Sequence, residues 1–322
     1  MKQLRVGVIG AGQAGGRHVG AFTQLPGVRV VAIVDPDERR GTALADSANA
    51  RYLPETTQRF WDDVDAVGIC VPHALLFAEA MTAIGQGKHL LLEKPMALSL
   101  VEIDTINTAA AAAGVTLMVG FVHRFRAESA EAKQHILRGA IGRPVFAVEH
   151  MIQGVGSRPG WVWQREMGGG VLLYSGVHAL DRLRWLLGSE VTAVYAHIET
   201  VQRDADVEDT IIAMLTYANG VRASCIVHIA QYPLPASWRS EIYGTDGAIT
   251  IAPDATLTVH EAARTLTFQA KRDDRFLGEV HEFVRAIDER RAPAVTGADG
   301  RAALATALAI HLSARTRQPV SL

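Results

Sequence analysis

Over the first 120 residues, short apolar runs alternate with longer stretches of helical period: 4–9 then 14–25, 28–34 then 37–47, 66–71 then 75–85, 89–92 then 98–113, and finally 116–119. Alternation of this kind predicts parallel strands joined by crossover helices. The runs are apolar almost throughout, as in Val30-Val31-Ala32-Ile33-Val34, and such strands belong to a sheet covered on both faces. Residues 1–122 are therefore expected to form a doubly wound α/β domain. The five alanines from Ala109 to Ala113 read as the end of a helix, with Gly114 as its C-cap.

Beyond about residue 123 this rhythm stops, and a second domain, 123–322, is expected to begin. Residues 127–138 and 171–187 carry helical periodicity. Residues 192–201, 210–217, 221–229, 240–243 and 248–251 alternate and are rich in β-branched and aromatic side chains. Asn219-Gly220 and Asp246-Gly247 separate consecutive runs, and both dipeptides favour tight antiparallel turns. Helical pattern returns at 276–290 and 300–315. The expected second domain is thus α+β, with a large, mainly antiparallel open sheet. One face of that sheet lacks helices to cover it, so a homodimer or homotetramer formed sheet to sheet is expected.

Composition narrows the function. Of 322 residues, 32 are Lys or Arg and 34 are Asp or Glu, for a net charge of -2. There is no excess positive field for a nucleic acid backbone or an anionic membrane, and neither is expected as a partner. Cys70 and Cys225 are too few for a disulfide framework or a cysteine-rich zinc site. The histidines lack metal-ligand spacing, so no metal is expected. Met1 leads almost at once into the run at 4–9, so no secretory leader is expected, and no stretch reaches the roughly 18 unbroken apolar residues of a spanning helix. A cytoplasmic location is expected.

Gly10-Ala11-Gly12-Gln13-Ala14-Gly15 follows the first strand and opens the first helix. In this position the first glycine permits the tight turn, the second lets backbone approach a diphosphate, and the third allows close helix packing, while the helix N-terminus favours anions. Asp35 ends the second strand, where a carboxylate accepts from ribose hydroxyls and repels a 2'-phosphate. Together these predict a Rossmann domain binding NAD in preference to NADP, although Arg39 and Arg40 stand close enough in sequence to meet a 2'-phosphate. Ligands of such sheets lie beyond the carboxyl ends of the strands, which draws attention to Val71-Pro72-His73 and Glu93-Lys94-Pro95.

Here the sequence resembles the glucose-fructose oxidoreductase, inositol dehydrogenase and MocA family of nicotinamide-dependent oxidoreductases. The likeness runs the length of the chain: Gly10-x-Gly12-x-x-Gly15-x-x-His18, Asp65-Ala66-Val67, Gly87-Lys88-His89, Glu93-Lys94-Pro95, Val119-Gly120-Phe121 with Arg124-Phe125, Gly139 to Pro144, Gly168-Gly169-Gly170 with Gly176-Val177-His178 and Asp181, and Ser313-Ala314-Arg315. The resemblance implies that Lys94 reaches the reacting carbinol and that Pro95 packs near the nicotinamide. Many members carry Asp where this chain has Tyr174, and His where it has Leu76. The substrate implied is a sugar, a cyclitol or a derivative of one.

Tyr174, His178 and Asp181 are spaced i, i+4 and i+7, which on an α-helix places them on one face. His178 is either the base that takes the hydroxyl proton, suited by its ordinary pKa near 6.5, or a histidine satisfied in the core. Tyr174 either donates to substrate or shapes the pocket. The glycine-rich loop from Gly154 to Gly170 contains Trp161, Trp163 and Arg165. These residues suit stacking and hydrogen bonding to a sugar ring, or anchoring of the loop itself. Arg124 and Asp181 complete the candidate substrate contacts. Two rivals to a dehydrogenase stand: a sensor that binds dinucleotide without turnover, and a glycoside hydrolase that recycles its NAD.

Overall fold

Gly10 turns the chain at the end of β1 (Leu4–Ile9) with φ of 99°, a region open to glycine, and α1 (Gln13–Phe22) begins three residues later. The computed structural model describes residues 3–156, 158–201, 204–270 and 275–322. The β-α alternation continues through β2 (Val28–Val34), α2 (Glu38–Ser47), β3 (Arg51–Leu53), α3 (Gln58–Asp63), β4 (Ala66–Ile69), α4 (His73–Gly85), β5 (His89–Leu92), α5 (Leu100–Ala113) and β6 (Leu117–Val119). Helix ends follow their local chemistry. Asp37 accepts from Arg40 N at the start of α2, Ser99 and Glu102 form a capping box on α5, and Gly114 ends α5 in the left-handed conformation. The described strands run parallel in the order β3-β2-β1-β4-β5-β6, the dinucleotide-binding topology. Val6, Val8, Ile33, Val67, Ile69 and Leu90 to Leu92 are buried, as strands covered on both faces must be.

The second part of the chain contributes α6 (Ala127–Leu137), β7 (Pro144–Gln153), α7 (Val177–Leu187), β8 (Val191–Glu199), β9 (Thr210–Tyr217), β10 (Arg222–Ile229), β11 (Ser237–Gly244), β12 (Gly247–Ile251), β13 (Thr256–Glu261) and β14 (Thr265–Gln269). The chain ends with α8 (Arg275–Asp288), α9 (Gly297–Thr316) and β15 (Val320–Ser321). Nine described strands form one sheet in the order β14-β13-β12-β11-β7-β10-β9-β8-β15. Its pairs are antiparallel except β7 with β10. Hairpins form at both Asn219-Gly220 and Asp246-Gly247; Gly220 takes the left-handed region with φ of 90°, whereas neither Asp246 nor Gly247 does. Helices α6 and α7 pack on one face. The other face exposes Phe146, Tyr195, Ile212, Met214 and Tyr243, with Tyr195 opposite Met214 and Phe146 opposite Tyr243 in the ladder.

Three features depart from the sequence pattern. The chain clusters into Met1–Val122 with Arg275–Arg301, and His123–Asp274 with Ala302–Leu322. Residues 275–301, placed in the second domain by their distance along the chain, thus belong to the first unit. There α8 turns Val280, Phe283 and Ala286 inward and packs on α1, with the Phe22 and Phe283 rings 6.4 Å apart. Strand β7 escapes a search for apolar alternation because its inward row is Ala147, Glu149 and Met151, with a charge in the middle, while Phe146 on the outward row is exposed. β3, β13 and β14 and the short α3 were likewise not predicted. Finally, 171–187 is not a uniform α-helix: Leu172–Gly176 is a π turn, followed by the α-helix Val177–Leu187.

Candidate active site

The residues singled out above fall into two groups, one in each unit. In the first unit a methyl on Gly15 would lie 1.9 Å from the carbonyl oxygen of Gly10, so only glycine lets α1 approach the turn. Gly12 is different. A methyl there would meet nothing within 4 Å, its φ of -74° suits any residue, no side chain caps the helix, and no acidic residue occupies its first turn. The packing of the protein does not require this glycine, whereas a diphosphate seated on the N-H groups of Gln13 and Ala14 does. Asp35 is buried, and its carboxylate accepts from Ala11 N at 2.7 Å, Asp37 N at 2.8 Å and Arg40 Nε at 2.8 Å. It first shapes the glycine turn, with one lone pair, on Oδ2, remaining for a ribose hydroxyl. Arg40 is tied to Asp35, an arrangement that favours a cofactor without a 2'-phosphate.

Val71, Pro72 and His73 follow β4, and Pro72 is the N-cap of α4. Cys70 N donates to Ile9 O, which keeps the ends of β1 and β4 side by side. Lys94 follows β5 and is joined to Pro95 by a cis peptide. Its side chain is 9% exposed, and burial pushes its ammonium below the ordinary lysine value, against the opposing charge of Glu93. Glu93 accepts from Lys94 N at 3.2 Å and lies 3.3 Å from His18 Nε2.

In the second unit Gly170, with φ of 99°, packs against the Glu208 carboxylate, which accepts from Leu172 N at 2.9 Å and so caps the helix carrying the candidate base. A π turn, Leu172–Gly176, follows and leads into the α-helix that carries His178. Tyr174 meets the Trp161 ring at 5.9 Å and the Arg158 guanidinium at 6.0 Å, whereas His178 meets the His123 ring at 4.6 Å. His123 in turn packs on Trp238 at 4.2 Å. Trp238 stacks under the Arg182 guanidinium at 3.8 Å, and Arg182 is paired with the fully buried Glu149 at 2.8 Å.

Residues 4–121 match the family described as oxidoreductase family, NAD-binding Rossmann fold, and residues 129–250 match the GFO/IDH/MocA C-terminal domain. The chain is 30% identical to the uncharacterized oxidoreductase YrbE of Bacillus subtilis, covering 100% of this chain and 97% of that one. The chain belongs to the GFO/IDH/MocA family of NAD-binding oxidoreductases. It is also 27% identical to scyllo-inositol 2-dehydrogenase (NAD(+)) of Bacillus subtilis, over 99% and 96% of the two chains. Among solved structures, levoglucosan dehydrogenase in complex with NADH and levoglucosan superposes with a TM-score of 0.90 at 25% identity, covering 99% of each chain.

Within this GFO/IDH/MocA protein the remaining candidates are engaged as follows. Arg124 and Asp181 are buried and hold each other through two hydrogen bonds of 2.8 and 2.5 Å. Arg165 is exposed, and its backbone N-H and guanidinium both donate to Asp206. Trp161 and Trp163 sit half-buried on a short helical turn, Gly160–Trp163. Among the described residues no cluster of three or more His, Cys, Asp and Glu side chains is arranged to hold a metal ion, and no helix is long and apolar enough to cross a membrane. Sequence reasoning missed Trp238, Arg182, Glu149 and Glu279. Only Glu279 left a trace, as a charge four residues before Phe283 on the apolar stripe of an amphipathic helix.

Proposed function

We propose that the chain is a dehydrogenase or reductase acting on a secondary alcohol or ketone carbon of a sugar, cyclitol or sugar derivative. The observation that carries this reading is Lys94, a buried lysine at the carboxyl end of a strand in the NAD-binding unit. Bound NAD supplies hydride-transfer chemistry. Gly10, Gly12, Gln13, Ala14 and Gly15 would hold its diphosphate and Asp35 its ribose, with Val71, Pro72, His73, Glu93 and Pro95 flanking it at the strand ends. The Lys94 ammonium stabilises negative charge growing on the carbinol oxygen, and the dryness of its surroundings strengthens that interaction. His178 accepts the hydroxyl proton, and its contact with His123 fixes the ring plane. Tyr174, in the place many relatives give to Asp, contributes shape and a phenol donor in place of charge. Trp161 and Trp163 offer faces to a sugar ring.

The relatives named for scyllo-inositol and levoglucosan support the substrate class. The test follows absorbance of reduced nicotinamide while protein and NAD or NADP meet a panel of cyclitols, anhydrosugars and aldoses. Lys94→Ala and His178→Ala are each expected to cut turnover about 100-fold with little change in NAD affinity. Unaltered turnover in both would remove the assignment. The exposed ladder of Tyr195, Met214, Ile212, Phe146 and Tyr243 supports a dimer or tetramer through the sheet. A monomer by light scattering at micromolar concentration would contradict it.

A further inference from the structure

His18 closes the glycine motif, yet the proposed reaction makes no use of it. It is fully buried on α1, with Phe22 and Phe276 rings packed against it. Its Nε2 lies 3.3 Å from Glu93 Oε1 and 3.3 Å from Glu279 Oε2, and its Nδ1 lies 3.3 Å from Cys70 Sγ. Thus α1, α8 and the ends of β4 and β5 send titratable groups to one imidazole. Two carboxyl groups facing one ring nitrogen in a dry interior require protons among them. An imidazolium answers this: Nε2 lies within ion-pair distance of both carboxyl groups, without good hydrogen-bond geometry to either, and Nδ1 faces the thiol.

The charges sort accordingly. Burial opposes the His18 cation, but Cys70, Glu279 and Glu93 more than offset it and hold the ring protonated well above the ordinary histidine value. Burial also opposes the Glu93 anion, yet His18, Lys94 and the Lys94 N-H together hold its carboxyl below the ordinary value. Glu279 differs: among the described residues neither of its oxygens has a hydrogen-bond partner of good geometry, and burial pushes it up to about 7 despite the pull of His18 and Arg275. Arg17, on α1 itself, lies over the Phe276 ring at 5.2 Å and adds a further charged group near the cluster.

We propose that His18 is a positioning residue for Lys94: clamped between Glu93 and Glu279, it fixes the carboxylate that holds the lysine's backbone N-H, and the proton on Glu279 sets the net charge behind the ammonium. With that proton present, His18, Glu93 and Glu279 sum to zero. Without it they sum to one negative charge, which draws on the Lys94 ammonium and weakens its hold on a developing alkoxide. The importance of this for turnover rests on the role given to Lys94 above, but the charge coupling itself can be measured without a substrate.

The experiment uses the full chain with NAD bound and two NMR probes. Lysine labelled with 13C at Cε reports the ionisation of Lys94, assigned with Lys94→Arg, and ring 15N shifts report His18, assigned with His18→Gln. In wild type, the Lys94 resonance is expected to show a step near pH 7 in addition to its own titration, while His18 carries both ring protons at pH 7. In Glu279→Gln, which keeps the shape and removes the titration, that step disappears and the lysine's own pKa falls by about 0.5 or more. In Glu279→Asp the step returns. A Lys94 titration identical in wild type and Glu279→Gln, or a neutral His18 at pH 7, would overturn the proposal. Either result is independent of the turnover of Lys94→Ala, which tests the catalytic reading alone.

Discussion

Gly12 and Gly15 are three residues apart in one motif, but alanine at the two positions should produce opposite failures. At Gly15 the new methyl would sit 1.9 Å from Gly10 O, a backbone atom in a turn whose φ of 99° leaves little freedom to retreat. Overpacking against backbone costs about 3 kcal/mol or more, which corresponds to roughly 6–12 °C in melting temperature for a unit of this size. At Gly12 the methyl meets nothing within 4 Å, and the backbone lies in an ordinary extended region. Alanine there gains up to about 1 kcal/mol through the unfolded chain and loses a similar amount as a poorer N-cap, for little net change. The methyl does, however, occupy the space assigned to the diphosphate. NADH affinity is therefore expected to fall at least about 100-fold, near 2.7 kcal/mol. Circular dichroism melts and titrations of NADH fluorescence on both variants separate the effects. A Gly12→Ala protein that binds NADH like wild type would refute the placement of the diphosphate at this turn.

Asp35→Ala removes the acceptor shared by Ala11 N, Asp37 N and Arg40 Nε. It should cost about 1–3 kcal/mol and raise the NADPH to NADH affinity ratio at least about tenfold, as read by parallel fluorescence titrations. Asp181→Ala strands the Arg124 guanidinium in the interior and should cost about 3–5 kcal/mol in urea unfolding, with an apolar replacement of both residues recovering most of it. The third concerns pH. Folded Glu279 keeps its proton to about 7 against 4.5 unfolded, so the folded state binds more protons in that window and stability falls as pH rises through it, by about 3 kcal/mol at most. His18, with its pKa raised, adds stability below 6.5 that is lost as pH climbs through its folded value. Glu93, with its pKa lowered, adds stability above 4.5 that is lost as pH falls through its own. Melting temperatures of Glu279→Gln from pH 5 to 8 should show a shallower decline than wild type, and parallel curves would count against a shared buried proton.

Much of the first unit was legible in the sequence because its signals are local. A covered parallel strand announces itself by an unbroken apolar run, a crossover helix by its period, and the dinucleotide turn by glycines whose roles depend on atoms a few residues away. Asp35 and Lys94 could be found by the same means, since each simply follows a strand. In the second unit the hairpin dipeptides were readable for the same reason, as was the helix at 127–138; so was the helix at 276–290, although it belongs to the first unit.

What the sequence could not decide depends on partners far along the chain. The charge at Glu149 hides β7 from any search for alternation, and only the distant Arg182 and Trp238 make that charge tolerable in the core. A π turn interrupts the helical stretch before His178, and Arg124 and Asp181, 57 residues apart, are paired with each other in the interior. The stretch 275–301 looks like a continuation of the second domain until α8 is seen to bury Glu279 beside His18. Periodicity is a property of neighbours a few residues apart, whereas a buried charge is stabilised only by the groups that the complete fold brings to it. The elements were therefore written locally, and the pairing of their charges was decided by tertiary structure.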